Sequence, residues 1–323
     1  MVSRQDVVMA YRLLLGREPE NEEVIAGHTR TAPDLRALRQ IFLCSEEFTS
    51  HANHLAMIPP YLDLGAPLRV DMDVDEDLAR KMLSRVEDTW QRLGNQDPYW
   101  SVLSWDDHKQ AGSDSAELAD EFHESGKREV DRLLAWLKRN GATISGPGRS
   151  CCEYGCGTGR VTRWLAAQFG QVAACDISQA HLDLARHHLD RMGVSNVRFH
   201  RIESLRSLGA LEPVELIFSF YVLQHNPPPL MALILTGMLQ LLKPGGAAFF
   251  QLPTYRTGYR FAAEEYLDQP PAEDFEMHVL PQKYVYAIAA QQGCEVLEVA
   301  PDGFVGSPQW ISMTFLLRKR GPV

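Results

Sequence analysis

The sequence predicts an α/β fold, in which a doubly wound, mostly parallel sheet carries helices on both faces and follows an N-terminal helical region. From Arg149 onward, apolar strand-like segments alternate with helical ones, which is typical of a parallel sheet. The last segments, CEVLEVAP and WISMTFLLRKR, are two strands with no helix between them, so the last strand must run antiparallel to its neighbour. Near the N-terminus, VVMAYRLLLG and LRALRQIFLCSEEF show helical spacing instead.

The alternation can be read element by element. SCCEY precedes a glycine-rich loop, and PLMALILTGMLQLL is a buried helix that KPGG ends. The predicted order is strand SCCEY, helix RVTRWLAAQF, strand QVAACDIS, helix QAHLDLARHHLDRMG, strand NVRFHRI, strand VELIFSFYVL, helix PLMALILTGMLQLL, strand AAFFQLP and the two final strands.

A chain of 323 residues exceeds one typical domain. We therefore predict a main domain with accessory parts. The predicted divisions are a helical accessory module at 1–56, a proline-punctuated linker at 57–72, a helical cap at 73–145, and a main domain at 146–323 with an insertion at 253–280.

Composition narrows the partners and the compartment. The net charge of -10 argues against a broad electrostatic contact with nucleic acid or anionic lipid. No secretory signal is visible at the start, and the apolar run from Leu230 to Leu242 is too short for a membrane span. The cysteines cluster around the glycine loop without metal-ligand spacing, so we expect a reduced, cytoplasmic protein with no metal site.

The segment CEYGCGTGR after the first main strand predicts a nucleotide site. A dinucleotide loop has the pattern G-x-G-x-x-G, but Arg160 stands where the last glycine would fall. No Lys-Ser/Thr pair follows, so a triphosphate loop is excluded. Asp176 ends the second strand, the position at which an acid bonds ribose hydroxyls in such folds.

Taken together, these motifs resemble class I S-adenosylmethionine-dependent methyltransferases, whose Rossmann-like sheet has seven strands with the last antiparallel. The resemblance runs from about Glu121 to Arg320. It rests on the acid-x-Gly-x-Gly-x-Gly loop at Glu153–Gly159, Asp176, Glu203 in RIESL, LLKPGG, and the final strand WISMTFLLRKR. A cationic cofactor without phosphate also suits Glu153 beside a loop that needs only close backbone approach.

The resemblance implies S-adenosylmethionine as the cofactor and a set of residues around it. Asp176 would bind the ribose, Glu203 or Ser204 the adenine, and the upstream segment EFHESGKREV would close over the methionine end. The implied cofactor-binding residues are Glu153, Gly155, Cys156, Gly157, Gly159, Asp176, Ile177, Glu203, Ser204, Ser219, Gln224, Phe122, Ser125 and Gly126. Glu215 replaces an Asp that is common at the start of the fourth strand.

Two segments are predicted to meet the methyl acceptor, because substrates of open α/β sheets bind beyond the carboxyl ends of the strands. His225 follows the fourth strand and is the candidate general base, with a backbone-bonded loop histidine as the alternative. The insertion after the fifth strand is predicted to be a lid, a packed cover or a dimer contact. Its candidate acceptor contacts are Tyr255, Arg256, Tyr259 and His278.

The N-terminal helices resemble a small module, marked by LLGREP and SEEF, that accompanies enzymes of surface-glycan assembly or occurs in secreted proteins. The alternative is a helical addition that only packs on the main domain. We therefore expect methyl transfer to a small molecule or glycan, at oxygen, and a possible protein-partner or dimer contact through this region. The alternatives are a non-catalytic S-adenosylmethionine-binding scaffold and an NAD-dependent oxidoreductase, which Arg160 and the antiparallel strand disfavour.

Overall fold

The computed structural model describes residues 2–45, 47–48, 68–102, 122–307 and 309–321. It divides into two compact units, Met1–Asp63 and Leu64–Val323. Most of the predicted linker, residues 57–67, lies outside the described residues.

The first unit is a small helical body with its own core. Its helices are α1 (Arg4–Ala10), continued by a π-helical turn (Tyr11–Leu15), α2 (Glu22–Thr31) and α3 (Leu35–Leu43). Ser3 caps α1 through a reciprocal capping box with Asp6. Gly16 stops the turn at φ 68°, as its position in the sequence predicts. Tyr11 and Phe42 meet edge to face at 4.9 Å in the core.

The second unit begins with helices that pack on the sheet. These are α4 (Glu76–Gln96), α5 (Pro98–Val102) and α6 (Lys127–Arg139), and a two-residue strand, β1 (Arg69–Val70), precedes them. The sheet strands are β2 (Gly146–Tyr154), β3 (Phe169–Asp176), β4 (Val197–Arg201), β5 (Val214–Ser219), β6 (Leu242–Arg256), β8 (Cys294–Asp302) and β9 (Trp310–Lys319). Between them lie α7 (Thr162–Ala166), α8 (Gln179–Arg191), α9 (Pro228–Gln240), β7 (Arg260–Phe261), α10 (Ala263–Asp268) and α11 (Gln282–Gln291).

The sheet confirms the predicted fold class. Its seven strands lie in the order β4-β3-β2-β5-β6-β9-β8. The pairs among β2 to β6 are parallel, whereas β9 runs antiparallel to both β6 and β8. Strand β5 is buried along its whole length, and separate apolar clusters cover the two faces of the sheet.

Three boundaries differ from the prediction. Helix α7 ends at Ala166, because Gly146 donates its amide to Gln168 O at 2.8 Å and sheet pairing takes over from there. Strand β5 stops at Ser219, and Tyr221 follows with a left-handed φ of 61°. The end of the predicted linker forms β1, which pairs in parallel with β7 inside the insertion.

Helix α9 is the buried helix that the apolar run predicts, with prolines at its start, where missing amide donors cost nothing. Within residues 2–45, 47–48, 68–102, 122–307 and 309–321, no helix is both long and apolar enough to cross a membrane.

Candidate functional site

A pocket lies at the carboxyl edge of the sheet. Its empty space is about 800 Å³ when the solvent at its open mouth is included. Strand β2 stands there between β3 and β5, which is the crevice where open α/β sheets bind ligands. Its walls come from the loop after β2, the ends of β3 and β5, and helices α4 and α5.

The glycine loop brings bare backbone to the pocket wall. Gly155, Cys156 and Gly157 line the pocket, and Gly159 ends the loop at φ 84°. Gly155 has φ 80°, and a Cβ placed there would lie 2.2 Å from Val222 Cγ2. Only glycine tolerates both that backbone conformation and that contact.

Asp176 connects this loop to the next helix. Its Oδ2 accepts the amide of Gly157 at 2.8 Å, and its Oδ1 accepts the amide of Ser178 at 2.9 Å. Ser178 in turn caps α8 through its hydroxyl. Asp176 and Ile177 both line the pocket, at the end of β3 and directly after it.

Glu153 is a second carboxyl group in the pocket wall, and it is 3% exposed. Burial raises its pKa to about 8, against the opposing effects of a 2.6 Å bond from Thr162 Oγ1 and the charge of Arg160. The site therefore holds an acid that a nearby cation would ionise.

The segment upstream of α6 touches the loop through Arg160. Ser125 Oγ donates to Phe122 O at 2.6 Å and accepts from Arg160 NH1 at 3.2 Å. A Cβ on Gly126 would lie 2.2 Å from Arg160 O, so the two segments are in tight contact. Phe122 is buried behind this contact, and it does not line the pocket.

The predicted adenine contacts lie outside the pocket. Glu203 and Ser204 are exposed, and their amides donate to Ser207 Oγ at 3.1 and 3.0 Å. The preceding residue, Ile202, lines the pocket in their place, since its amide pairs with Asp176 O at 2.8 Å.

The residues predicted after β5 form a buried network behind the pocket wall. Ser219 Oγ donates to Tyr154 O at 2.9 Å. Gln224 Oε1 accepts from Gln251 Nε2 at 3.1 Å, and Gln224 O accepts the amide of His278 at 2.7 Å. These side chains support the wall without lining it.

His225 does not have the geometry of a general base. Its Nδ1 lies 2.9 Å from the carbonyl of Glu276, so it must donate there, and its Nε2 accepts from Gln224 Nε2 at 3.2 Å. Burial lowers its pKa to about 4. The ring packs 5.1 Å from Trp90, which does line the pocket. The structure therefore favours the alternative, a loop histidine bonded to backbone.

None of the four predicted acceptor contacts lines the pocket. Tyr259 and His278 are buried and bonded to each other at 2.9 Å. Arg256 is exposed and covers the ring of Trp310 at 4.9 Å, and Tyr255 lies beside it in β6.

A partly buried ion pair joins the insertion to α4. Arg85 of α4 pairs with Glu276 at 2.5 Å and donates to Tyr266 O at 2.5 Å. The insertion thus packs on α4 as a cover, one of the predicted alternatives.

Several pocket residues were not predicted from the sequence. Trp90 and His181 line the pocket with their rings 6.3 Å apart, and Phe220, Tyr221 and Arg160 line it as well. His181 is 1% exposed and contacts Ser101 Oγ at 2.9 Å. The left-handed φ of Tyr221 is the kind of strained backbone that collects at functional sites, but no sequence motif marks it.

Comparison with known proteins agrees with this geometry. Residues 152–246, which run from β2 into β6, match the family described as methyltransferase domain. Residues 152–246 are therefore a methyltransferase domain, and the sheet that contains them has the class I S-adenosylmethionine-dependent methyltransferase fold. The chain is similar to a magnesium protoporphyrin IX methyltransferase of Synechocystis PCC 6803 with bound S-adenosylhomocysteine. The TM-score is 0.51 at 17% identity, over 74% of this chain and 99% of that one, a likeness of fold.

Curated relatives match a shorter stretch of this methyltransferase. The ubiquinone biosynthesis O-methyltransferase of Stutzerimonas stutzeri is 29% identical over 163 residues, which is 48% of this chain and 68% of the relative. The protein of the same description in Aromatoleum aromaticum is 31% identical over 125 residues, 38% of this chain and 50% of the relative. The chain thus spans only half to two thirds of the length of these relatives.

The cofactor of the methyltransferase is S-adenosylmethionine, and the pocket residues fit it. Among the described residues, the lining contains two carboxyl side chains and Arg160 as its one Lys or Arg. A ligand with sulfonium and ammonium cations and no phosphate suits that balance. Asp176 would hold the ribose, and the bare loop at Gly155 would lie against the methionine end.

Proposed function

We propose that this methyltransferase transfers the methyl group of S-adenosylmethionine to a hydroxyl oxygen of a small-molecule acceptor. The observation that carries the proposal is the pocket at the carboxyl edge of the sheet, where Asp176 and the glycine loop meet. The choice of oxygen is supported by the curated relatives, whose descriptions specify O-methyltransferases. The comparisons give no support to a glycan acceptor or to a partner contact through the N-terminal helices.

The pocket has two ends that suit the two halves of the cofactor. Trp90, Ile177 and Ile202 supply apolar pocket surface, and we place the adenosine against it. Arg160 and Tyr221 also line the pocket, and we place the amino-acid tail beside them. The bound cofactor supplies a methyl group already activated by its sulfonium. The protein then needs to align the acceptor and exclude water.

We place the acceptor against the β5 side of the pocket mouth, beside Phe220 and Tyr221. Both rings contact Phe304, at 5.8 and 5.1 Å, so the mouth continues into an aromatic surface. Burial raises the pKa of Tyr221 to about 12, which keeps its phenol protonated at neutral pH. A protonated phenol can donate a hydrogen bond to an acceptor oxygen.

Deprotonation of the acceptor would rest on the acceptor's own acidity. His181 is the one imidazole among the described lining residues, and burial lowers its pKa. Its Nε2 is engaged with Ser101, and Asp176 is engaged with two backbone amides. An acceptor whose hydroxyl ionises readily, such as a phenol, fits a site that supplies alignment more than a strong base.

A binding and transfer assay tests the proposal. Calorimetry should show binding of S-adenosylmethionine and S-adenosylhomocysteine and none of NAD. Isotope-labelled S-adenosylmethionine should then methylate members of a phenol panel, with mass spectrometry locating the label on oxygen. Matched panels of amines and aliphatic alcohols serve as controls. Methylation of amines alone would contradict the choice of oxygen, and no binding of either sulfur nucleotide would remove the proposed function itself.

A further inference from the structure

Arg132 is a half-buried cation of helix α6 that pairs with no carboxylate among the described residues. On the same helix, Lys127 pairs with Asp131 at 2.7 Å, and Arg139 pairs with Glu298. Arg132 donates no hydrogen bond within the described part of the chain, and of its guanidinium nitrogens only NH1 is fully buried. Its Nε and NH2 are therefore accessible to a ligand. An accessible guanidinium without a partner suits an anion.

A row of aromatic rings joins Arg132 to the mouth of the pocket. Its Cζ lies 4.6 Å from the centre of the Phe304 ring, between β8 and β9. Phe304 contacts Tyr221 at 5.1 Å and Phe220 at 5.8 Å, and both of these rings line the pocket. Burial raises the pKa of Tyr221, and the charge of Arg132 is among the effects that oppose the rise. The cation therefore stands beside the aromatic surface on which we place the acceptor.

Two acids lie near this surface, and both have other partners. Glu129 forms a buried ion pair with Arg160 at 3.3 Å. Asp302 accepts from Thr314 Oγ1 at 2.8 Å. Neither acid lies within ion-pair distance of Arg132, so one positive charge remains unmatched in the described part of this surface.

The chemistry of Arg132 indicates which anion would match it. A guanidinium that lies over an aromatic ring keeps its N–H groups in its own plane, where they fit the two oxygens of a carboxylate. A single cation balances the single charge of a carboxylate, whereas a phosphate monoester carries nearly two charges at neutral pH.

We propose that Arg132 binds a carboxylate on the methyl acceptor, which makes phenols that carry a carboxyl group the substrate class of this enzyme. The inference rests on the proposed function, because it assumes an acceptor whose hydroxyl group lies beside Tyr221. The acceptor ring would then pack along Phe220 and Phe304, with its hydroxyl towards the cofactor and its carboxylate towards Arg132.

A panel of hydroxybenzoates, each paired with its amide, tests the assignment on the full chain. Acid and amide share the ring and the hydroxyl group, and they differ in charge. Wild type should methylate the acids with a kcat/KM about tenfold higher, the effect of a charge-assisted bond. An amide substituent makes the phenol more acidic than a carboxylate does, so acidity alone would favour the amides. This comparison needs no variant.

Arg132→Gln should raise the KM of the acids by about tenfold and leave their kcat, and both constants of the amides, within about twofold. Calorimetry with S-adenosylhomocysteine would show that the variant is folded. Lys138→Gln is the matched control, since it removes the same charge from an exposed position of the same helix that does not line the pocket. It should leave all of these constants unchanged.

Three results would overturn the assignment. Wild type with equal kcat/KM for acids and amides, or with activity on neutral phenols alone, would refute the role of Arg132 and leave the proposed function standing. An equal loss for acids and amides in Arg132→Gln would make Arg132 a structural residue. If the protein binds S-adenosylmethionine but methylates no phenol, the proposed hydroxyl acceptor fails and this assignment fails with it.

Discussion

Asp176 accepts the amide of Gly157 at 2.8 Å with one carboxylate oxygen and the amide of Ser178 at 2.9 Å with the other. A single side chain thus fixes the glycine loop after β2 and the start of α8 after β3. Each oxygen keeps a further lone pair for a ligand hydroxyl, because an ionised carboxylate offers about four acceptor sites. The residue that would bind the ribose also shapes the loop that the cofactor lies on.

We expect Asp176→Ala to weaken S-adenosylhomocysteine binding by about 10- to 100-fold, since bonds to a charged group contribute about 1.5–3 kcal/mol. Asp176→Asn keeps the volume but can accept with only one oxygen, so it should fall between wild type and alanine. Calorimetry measures both. Asp183→Asn, on the exposed face of α8, is the control and should bind normally. Unchanged affinity in Asp176→Ala would refute the ribose role.

Gly155→Ala should impair both binding and stability. The new Cβ would lie 2.2 Å from Val222 Cγ2, on a backbone at φ 80° that side chains rarely adopt. Adding Val222→Ala removes the two shortest contacts but leaves Val222 Cβ at 2.9 Å and the backbone strain, so the double variant should recover part of the loss. Gly148→Ala is the control, because nothing lies within 4 Å of its Cβ position. Thermal melts with and without S-adenosylhomocysteine should place the double variant between Gly155→Ala and wild type. A Gly155→Ala variant with the stability and ligand binding of wild type would contradict the prediction.

The sequence predicts the parts of this molecule that depend on local patterns. Apolar alternation located the strands, and the missing helix before WISMTFLLRKR identified the antiparallel strand. Glycine spacing and Asp176 located the loop and the acid, because both depend on residues close in the chain. The turn at Tyr221 escapes such reasoning, since its left-handed backbone is bonded to Gln251 Oε1 from the neighbouring strand.

His225 shows why roles are harder to predict than positions. Its place at the carboxyl end of β5 suggested a base, but the Glu276 carbonyl, 51 residues later, takes its Nδ1. Similarly, a one-residue difference puts Ile202 in the pocket and Glu203 in solvent, and only the pairing of Ile202 with Asp176 O decides which. Long-range packing sets both outcomes.

His225 should affect the pH dependence of the unfolding free energy and not the binding of the cofactor. Its pKa is lowered to about 4 by burial, whereas an unfolded histidine titrates near 6.5. Between these values the unfolded chain binds more protons, so the unfolding free energy should fall as the pH drops from about 6.5 to about 4. His225→Gln should remove that share of the slope in urea titrations and keep S-adenosylhomocysteine affinity within about twofold. A large and selective loss of affinity would contradict this role.

Arg85→Met should destabilise the second unit by about 1–3 kcal/mol, because it removes a donor from the Tyr266 carbonyl and leaves Glu276 with only its 3.3 Å contact to His278 Nε2. Chemical denaturation would measure the loss. Arg80→Met is the matched control on the same helix, since the Arg80 side chain is 71% exposed and its pair with Asp77 is long, at 3.5 Å. If the two variants lose the same stability, the ion pair does not anchor the insertion.

Glu153 should give a pH dependence of the opposite sign. Burial raises its pKa to about 8 from an ordinary value of 4.5, so the folded chain keeps a proton that the unfolded chain has lost. The unfolding free energy should therefore fall as the pH rises from about 4.5 to about 8, at up to about 1.4 kcal/mol per pH unit.

Glu153→Gln cannot ionise, so it should lose this dependence and be more stable than wild type at pH 8. Its window overlaps that of His225 between about 4.5 and 6.5, where the two slopes oppose each other, so wild type alone shows only their sum. Urea titrations of both single variants and the double variant separate the two. A Glu153→Gln slope equal to that of wild type above pH 6.5, where His225 no longer contributes, would show that Glu153 is already ionised in the folded protein.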